Sequence, residues 1–350
     1  MKAMSERAIL LGVPRVEYSG DGITPFPRCL KACANYLGMD VSYDYVMAAT
    51  GAAFRLTWDQ KAWNGGNVDV IYTFDDPSKV YRVGIESLGC EYNLIGRTRK
   101  TEKAEFASFI KEKIDGGYPC IALGIIGPPE ACIITGYRDD GNTLLGWNFF
   151  QDNPEFARAV TFDEAGYFIT DRWWENAETK AVMSLGEITG ERFAPKTILQ
   201  NAVEVMTGRS WKHYAKGISA YDAWAKDILE DSHFPENAIL PILCERLMVH
   251  GDAMDCIADG RHSAAGYMES LIPCIPAQRA GLEQAADAFT QVHNAFSKMT
   301  ALLGGWQRSE NEMRMFAKPE VRKRMAGIIC EAKRADEKAL GIIKELVAAL

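Results

Sequence analysis

The chain has 350 residues, of which 47% are hydrophobic, 10% aromatic and 25% charged, and its net charge is −8. That apolar share supports a sizeable core and excludes intrinsic disorder, and at roughly 150 residues per domain the length predicts about two domains. The acidity argues against non-specific binding of nucleic acid or of an anionic membrane, since both need basic patches.

In chain order, the first twenty residues, MKAMSERAILLGVPRVEYSG, lack a long apolar core and a small-residue cleavage site, so they do not read as a signal peptide. Pro27 to Gly38, preceded by Thr24-Pro25, reads as a helix. Ser42 caps a second through Thr50, and Asp76-Pro77 opens a third that Gly89 closes. Residues 90–96, 119–126, 131–137 and 143–147 read as strands, with a hairpin turn at Asp139-Asp140-Gly141-Asn142. Thr101 to Gly116 reads as an exposed amphipathic helix. DRWWEN (171–176), if extended, puts its adjacent indoles on opposite faces. The segment Ser184 to Ala194 is polar and contains glycine, and reads as a boundary. From Pro195 strand signals stop, and helical patterns cover 220–231, 236–272, 277–303 and 319–349. Tyr221 and Trp224 in the first of these read as packing between domains.

The longest apolar run, Cys120 to Pro129, is far short of the ~20 residues of a bilayer span, so no membrane partner is expected. Nine scattered cysteines without a Cys-x-x-Cys pair predict reduced thiols in a cytoplasm. The five histidines, at 213, 233, 250, 262 and 293, all lie beyond residue 212. The clustered Cys/His spacing of a zinc site is missing, so neither a metal nor another cofactor is expected. The chain also has no phosphate-loop, Gly-x-Ser-x-Gly or His-Glu-x-x-His motif.

Cys29 carries the strongest chemical signal. Near a helix start, with Arg28 beside it, its thiolate would be stabilised by free backbone N–H groups, which makes it the thiol expected to react first. The alternative is that Cys29 and Cys33, one turn apart, are small buried hydrophobes. The tryptophans Trp58, Trp63, Trp147, Trp173 and Trp174 crowd the first half together with Arg55 and Arg172. They read either as pocket lining or as core filling.

FPRCLKACANYLGMDVSYDYVMAATGAAFRLTW (26–58) and GYPCIALGIIGPPEACIITGYRDDGNTLLGWNFF (117–150) resemble the butirosin-type acyltransferase N-terminal domain, in the papain-like group that includes bacterial cysteine peptidases. The resemblance implies an α+β fold over residues 1–183, with a helix packed on an antiparallel sheet, followed by an all-α domain over 195–350. It also implies acyl transfer through a cysteine thioester. Carried over residue by residue, it makes Cys29 the nucleophile, puts Glu130 where the family has its histidine, and puts Asn148 at the orienting position. Ile23 and Thr24 stand where the family has a glutamine.

Glu130 then reads as a general base, as an anchor for a substrate ammonium or hydroxyl, or as an exposed strand-start residue. The expected binding residues are Arg28, Trp58, Trp147, Arg172 and Trp173. A histidine from the helical half, His250, His262 or His293, is a further candidate to complete the site. The expected function is hydrolysis of, or acyl transfer from, a small amide, ester or thioester. The alternative is a non-catalytic small-molecule-binding or interaction protein. A small-molecule substrate is the expected partner, and the oligomeric state, a homo-oligomer included, stays open.

Overall fold

A computed structural model describes residues 6–18, 22–208 and 210–350; of the N-terminal stretch read above, residues 1–5, 19 and 20 lie outside the described residues. The elements in chain order are β1 (Ala8–Ile9), α1 (Pro25–Tyr36), α2 (Tyr43–Ala49), β2 (Thr57–Asp59), α3 (Lys79–Glu86), β3 (Cys90–Gly96), α4 (Lys103–Asp115), β4 (Cys120–Leu123), β5 (Ala131–Arg138), β6 (Thr143–Trp147), β7 (Thr161–Phe162), β8 (Phe168–Thr170), β9 (Ala181–Ile188), α5 (Pro195–Met206), β10 (Tyr214–Lys216), α6 (Ile218–Leu229), α7 (Leu240–Leu271), α8 (Arg279–His293), α9 (Ala295–Leu303), α10 (Glu310–Ala317) and α11 (Pro319–Ala349). By contact density the chain forms two units, one of residues up to Val46 with Tyr81–Arg192, the other of Met47–Val80 with Phe193–Leu350. The segment 47–80, read from sequence with the first half, therefore groups with the helical half.

The first unit is built on an eight-stranded sheet in the order β3-β9-β4-β5-β6-β8-β7, with β1 paired to β5. All its pairings are antiparallel. Strands β4 and β5 are buried along almost their whole length, which is why they read as unbroken apolar runs rather than alternations. The β5–β6 turn forms where predicted, with Asp139, Asp140 and Gly141 at φ 51°, 57° and 90°. Gly146 must be glycine, since a Cβ there would stand 1.8 Å from the Ile133 carbonyl oxygen.

Helix α4 carries a capping box of Glu102 and Glu105. It is less exposed than expected: Phe106, Ile110 and Ile114 join Cys120, Cys132, Ile134 and Trp173 in one apolar cluster. The predicted boundary needs correction at its start. Residues 184–188 belong to β9, a strand with partners on both edges, and Ser184 is fully buried, its hydroxyl donating to the Pro119 carbonyl at 3.2 Å.

The second unit is mainly helical, with one two-stranded ribbon, β10-β2, where no strand was predicted. Prolines open α5, α7 and α11 within their first two positions, where a missing N–H costs nothing. The predicted helix 277–303 is broken at Asn294 into α8 and α9. The core joins Trp58, Tyr221 and Trp224 to Leu247, Ile257, Met299, Met325 and Ile329. Tyr221 and Trp224 thus pack inside their own unit, where sequence reading expected interdomain packing. Arg261 and Asp336 are both fully buried and paired at 2.6 Å, and the Tyr221 hydroxyl donates to the same carboxylate at 2.7 Å. Among the described residues, no helix is long and apolar enough to cross a membrane.

Candidate active site

Helix α1 packs beside β4 and β5 and starts at Pro25, two residues earlier than predicted. Of its first three residues, Pro25 and Pro27 have no N–H, and the Arg28 amide donates to the Thr24 carbonyl at 3.2 Å. Little remains of the free amide array that would stabilise an anion, and Cys29 already stands beyond the first turn, where the dipole effect fades. Cys29 is 0% exposed. Burial pushes its thiol well above the ordinary value; the charges of Cys132, Cys33 and Glu130 push the same way, and Arg28 pulls down. Desolvation therefore outweighs the activation expected from the helix start, and resting Cys29 is a neutral thiol.

Glu130 is half-buried at the start of β5, on a loop from Gly124 to Pro129 that is tied from one side. The Asn176 amide donates to the Gly124 and Gly127 carbonyls at 2.6 and 2.9 Å, and the Thr179 hydroxyl donates to that of Gly124 at 3.0 Å. Gly124 has φ +80°, and a Cβ on it would meet the Glu178 carbonyl oxygen at 1.9 Å, so no other residue fits this turn. The loop closes with the Gly124 N–H donating to the Glu130 carbonyl at 3.0 Å. The strand start is thus a specified position.

Asn148 follows β6 and is 2% exposed. Its Oδ1 accepts from the Phe150 N–H at 2.7 Å, and its Nδ2 points at the Ile126 carbonyl at 3.5 Å. Burial pushes the Cys132 thiol up to about 12, and the Asn148 amide and the N–H groups of Ile125 and Ala122 hold it from rising further. Cys33 and Cys120 are raised by burial as well. Sequence reading passed over Cys132, whose only signal was its place two residues after Glu130. Cys29, Arg28, Glu130, Cys132 and Asn148 all belong to the first unit, in which α1 packs against β5.

The aromatic set is placed differently from expectation. Trp147 is 7% exposed, its Nε1 donates to the Val13 carbonyl at 2.9 Å, and Tyr167 packs on its ring. Trp173 is fully buried and donates to the Asn142 carbonyl at 3.0 Å. DRWWEN is a turn, with the Glu175 N–H bonded to the Arg172 carbonyl, so Trp173 and Trp174 meet edge to face at 5.5 Å instead of pointing to opposite faces. Arg172 is exposed and bonds Glu175 at 2.8 Å. Trp58 lies in the second unit, 1% exposed, and donates to Asp227 at 2.7 Å. Each of these three indoles has a core role with its N–H satisfied, which is the core-filling reading.

The histidine candidates are engaged within the second unit. His250 is 0% exposed, accepts from the Trp224 indole at 3.0 Å and is pushed down to about 3 by burial, so it stays neutral. The His293 Nδ1 lies 2.9 Å from the Ala258 carbonyl, and its ring is 5.2 Å from that of His262. No family model matches the chain, and no curated protein matches it either.

Proposed function

We propose that the chain is a cytoplasmic cysteine-dependent hydrolase or acyltransferase for a small amide, ester or thioester, with a papain-like first part and a helical second part. The observation that supports this reading is placement: Cys29 lies on α1, which packs against β5, and Glu130 stands at the start of β5 on a loop tied down by Asn176. Because the thiol is neutral at rest, its proton must leave as attack begins. The Sγ–H proton passes to the Glu130 carboxylate while the sulfur bonds the acyl carbon, and Glu130 then returns it to the departing amine, alcohol or thiol. Water or an acceptor amine next cleaves the thioester and regenerates the thiol. Arg28, half-buried beside Cys29, supplies a positive charge for an acidic group on the substrate.

The test is acylation by a small thioester such as an N-acetylcysteamine ester, mapped by peptide mass spectrometry. Cys29 should carry the acyl group, and Glu130→Gln should slow its formation by about 10²-fold. Acylation confined to Cys274 and Cys330, with Glu130→Gln reacting normally, would refute the reading. The rival function, a non-catalytic binding protein, draws on the complete burial of Cys29, and it requires Cys29→Ala to keep full ligand affinity.

A further inference from the structure

Outside the cysteine site, the second unit holds a polar network built on the ribbon β10-β2. Residues Trp211 to Tyr214 form a tight turn in which Trp211 and Tyr214 exchange two backbone hydrogen bonds at 2.9 Å, and Lys212 takes φ 55°. The ribbon register sets Tyr214 opposite Asp59, which brings the preceding residue, His213, to the same end. The His213 Nε2 lies 3.3 Å from the Asp59 Oδ2, and the Asp59 side chain is only 3% exposed against 32% for His213.

The carboxylate is fixed from its other sides. Its Oδ1 accepts from the backbone N–H groups of Lys61 and Ala62 at 2.9 and 3.3 Å, and its Oδ2 accepts from the Asn64 amide at 3.3 Å. The same Asn64 amide donates to the Tyr214 hydroxyl at 2.9 Å, which lies 3.2 Å from the Tyr72 hydroxyl. A carboxylate at Nε2 makes that nitrogen the one that carries the proton, which leaves the lone pair of Nδ1 for chemistry. A buried acid that orients a part-exposed imidazole is the arrangement that general acid–base and nucleophilic histidines need.

We propose that Asp59 and His213 form a second reactive centre, in which the imidazole cleaves small uncharged esters of planar, phenol-like alcohols. The alcohol class follows from the chemistry and the surroundings. An imidazole displaces only a stable leaving anion, and the half-buried rings of Trp211 and Tyr72 offer flat apolar surface. In the step, the Nδ1 lone pair bonds the ester carbonyl carbon and the C–O bond breaks, its electron pair leaving with the phenolate. Water then adds to the acyl carbon, the C–N bond breaks, and the released proton goes to solvent. Asp59 keeps the Nε2 proton in place throughout and acts as a positioning residue.

The probe is p-nitrophenyl acetate, used on the full chain in the Cys29→Ala background so that no rate comes from that thiol. His213→Gln should lower the rate by about 10²-fold. Asp59→Asn should lower it too, through kcat rather than KM, and Asp59→Glu, which keeps a carboxylate, should restore part of the rate. His213→Gln with an unchanged rate would overturn the proposal, as would Asp59→Asn with an unchanged kcat. If Asp59→Asn does not fold, the part-exposed His213 variant still decides. A thioester result at Cys29 bears only on the first site, so the two readings can fail separately.

Discussion

In the first unit the thiols of Cys29, Cys33, Cys120 and Cys132 are fully buried, Cys90 nearly so, and burial raises all five. In the second unit, Arg261 and Asp336 are as deeply buried. Burial acts to lower Arg261, yet the charge of Asp336 and the Tyr221 group outweigh it, so the guanidinium ends above its ordinary value. Its Nη1 also donates to the Ala53 and Arg55 carbonyls at 3.0 and 2.9 Å. The same desolvation thus neutralises one set and leaves the other charged. The difference lies in the partners: a fork of donors matched to a carboxylate repays the loss of water, and weak thiol contacts do not. In the first unit, chemistry at a thiol must therefore begin with a proton transfer.

The largest expected effect tests that protection directly. Cys274 and Cys330 are exposed, and Cys29, Cys33, Cys120 and Cys132 are buried. Under iodoacetamide in native buffer, the four buried thiols should react at least about 10³-fold more slowly than the two exposed ones, because they must wait for local opening. Equal rates for Cys29 and Cys330 would mean that Cys29 is open and activated after all. The expectation from sequence, that Cys29 reacts first, counted the helix start and Arg28 but could not count burial.

Asp336→Ala sharpens the other side of the comparison. It leaves a buried guanidinium without its counter-charge and the Tyr221 hydroxyl without its acceptor, so urea denaturation should show a loss of about 3–5 kcal/mol. The double variant Arg261→Met with Asp336→Leu should lose much less, since it removes the stranded charge as well. A single variant as stable as the parent would mean that this pair is not what pins α7 to α11.

Legibility followed the same divide between local and distant causes. Residues 90–96 and 143–147 are strands over the predicted range, because an apolar run bounded by turn residues is a local signal. The Asp139 turn and the proline that opens α11 were legible for the same reason. Strand β9 was not read as a strand, because its polar Ser184 and small Gly186 look like linker, although pairing with β3 and β4 buries them. The ribbon that aligns Asp59 with His213 could not be seen, because its strands are three residues each and far apart in the chain. Among the site residues, the roles of Cys29, Glu130 and Asn148 came from the resemblance, whereas the complete burial of the Cys29 thiol comes from packing.

His250 gives a smaller effect, and its sign can be worked out. Its folded value, about 3, lies below the ordinary 6.5. Between those limits the unfolded chain holds a proton that the folded chain does not, so this group makes stability fall as the pH drops from about 6.5 toward 3. Asp255, pushed up to about 7 chiefly by burial, acts in the opposite sense, losing stability as the pH rises through that value. The readout is therefore the difference between the wild type and His250→Gln. Removing the imidazole should flatten the acid side by up to about 1.4 kcal/mol per pH unit. Parallel curves would mean that His250 binds its proton in the folded state.

The smallest effect separates two thiols of the first unit. Cys120 and Cys132 lie on adjacent strands, both 0% exposed and both in the cluster around Phe106 and Ile110. The Asn148 amide and the N–H groups of Ile125 and Ala122 act to lower the Cys132 thiol, against the burial that raises it. Cys120 is raised chiefly by burial; Lys113 acts to lower it and Glu112 to raise it further. A serine hydroxyl is a better acceptor than a thiol but costs more to bury when nothing bonds it. Cys120→Ser should therefore cost about 1–3 kcal/mol, and Cys132→Ser about 1 kcal/mol or less, because its donors are already in place. Chemical denaturation of the two variants decides it. If Cys132→Ser is the costlier one, the donors around Cys132 do not compensate a polar group, and the position is simply apolar core. If the predicted order holds, the surroundings of Cys132 accept a buried hydroxyl and those of Cys120 do not, although both lie in the same apolar cluster.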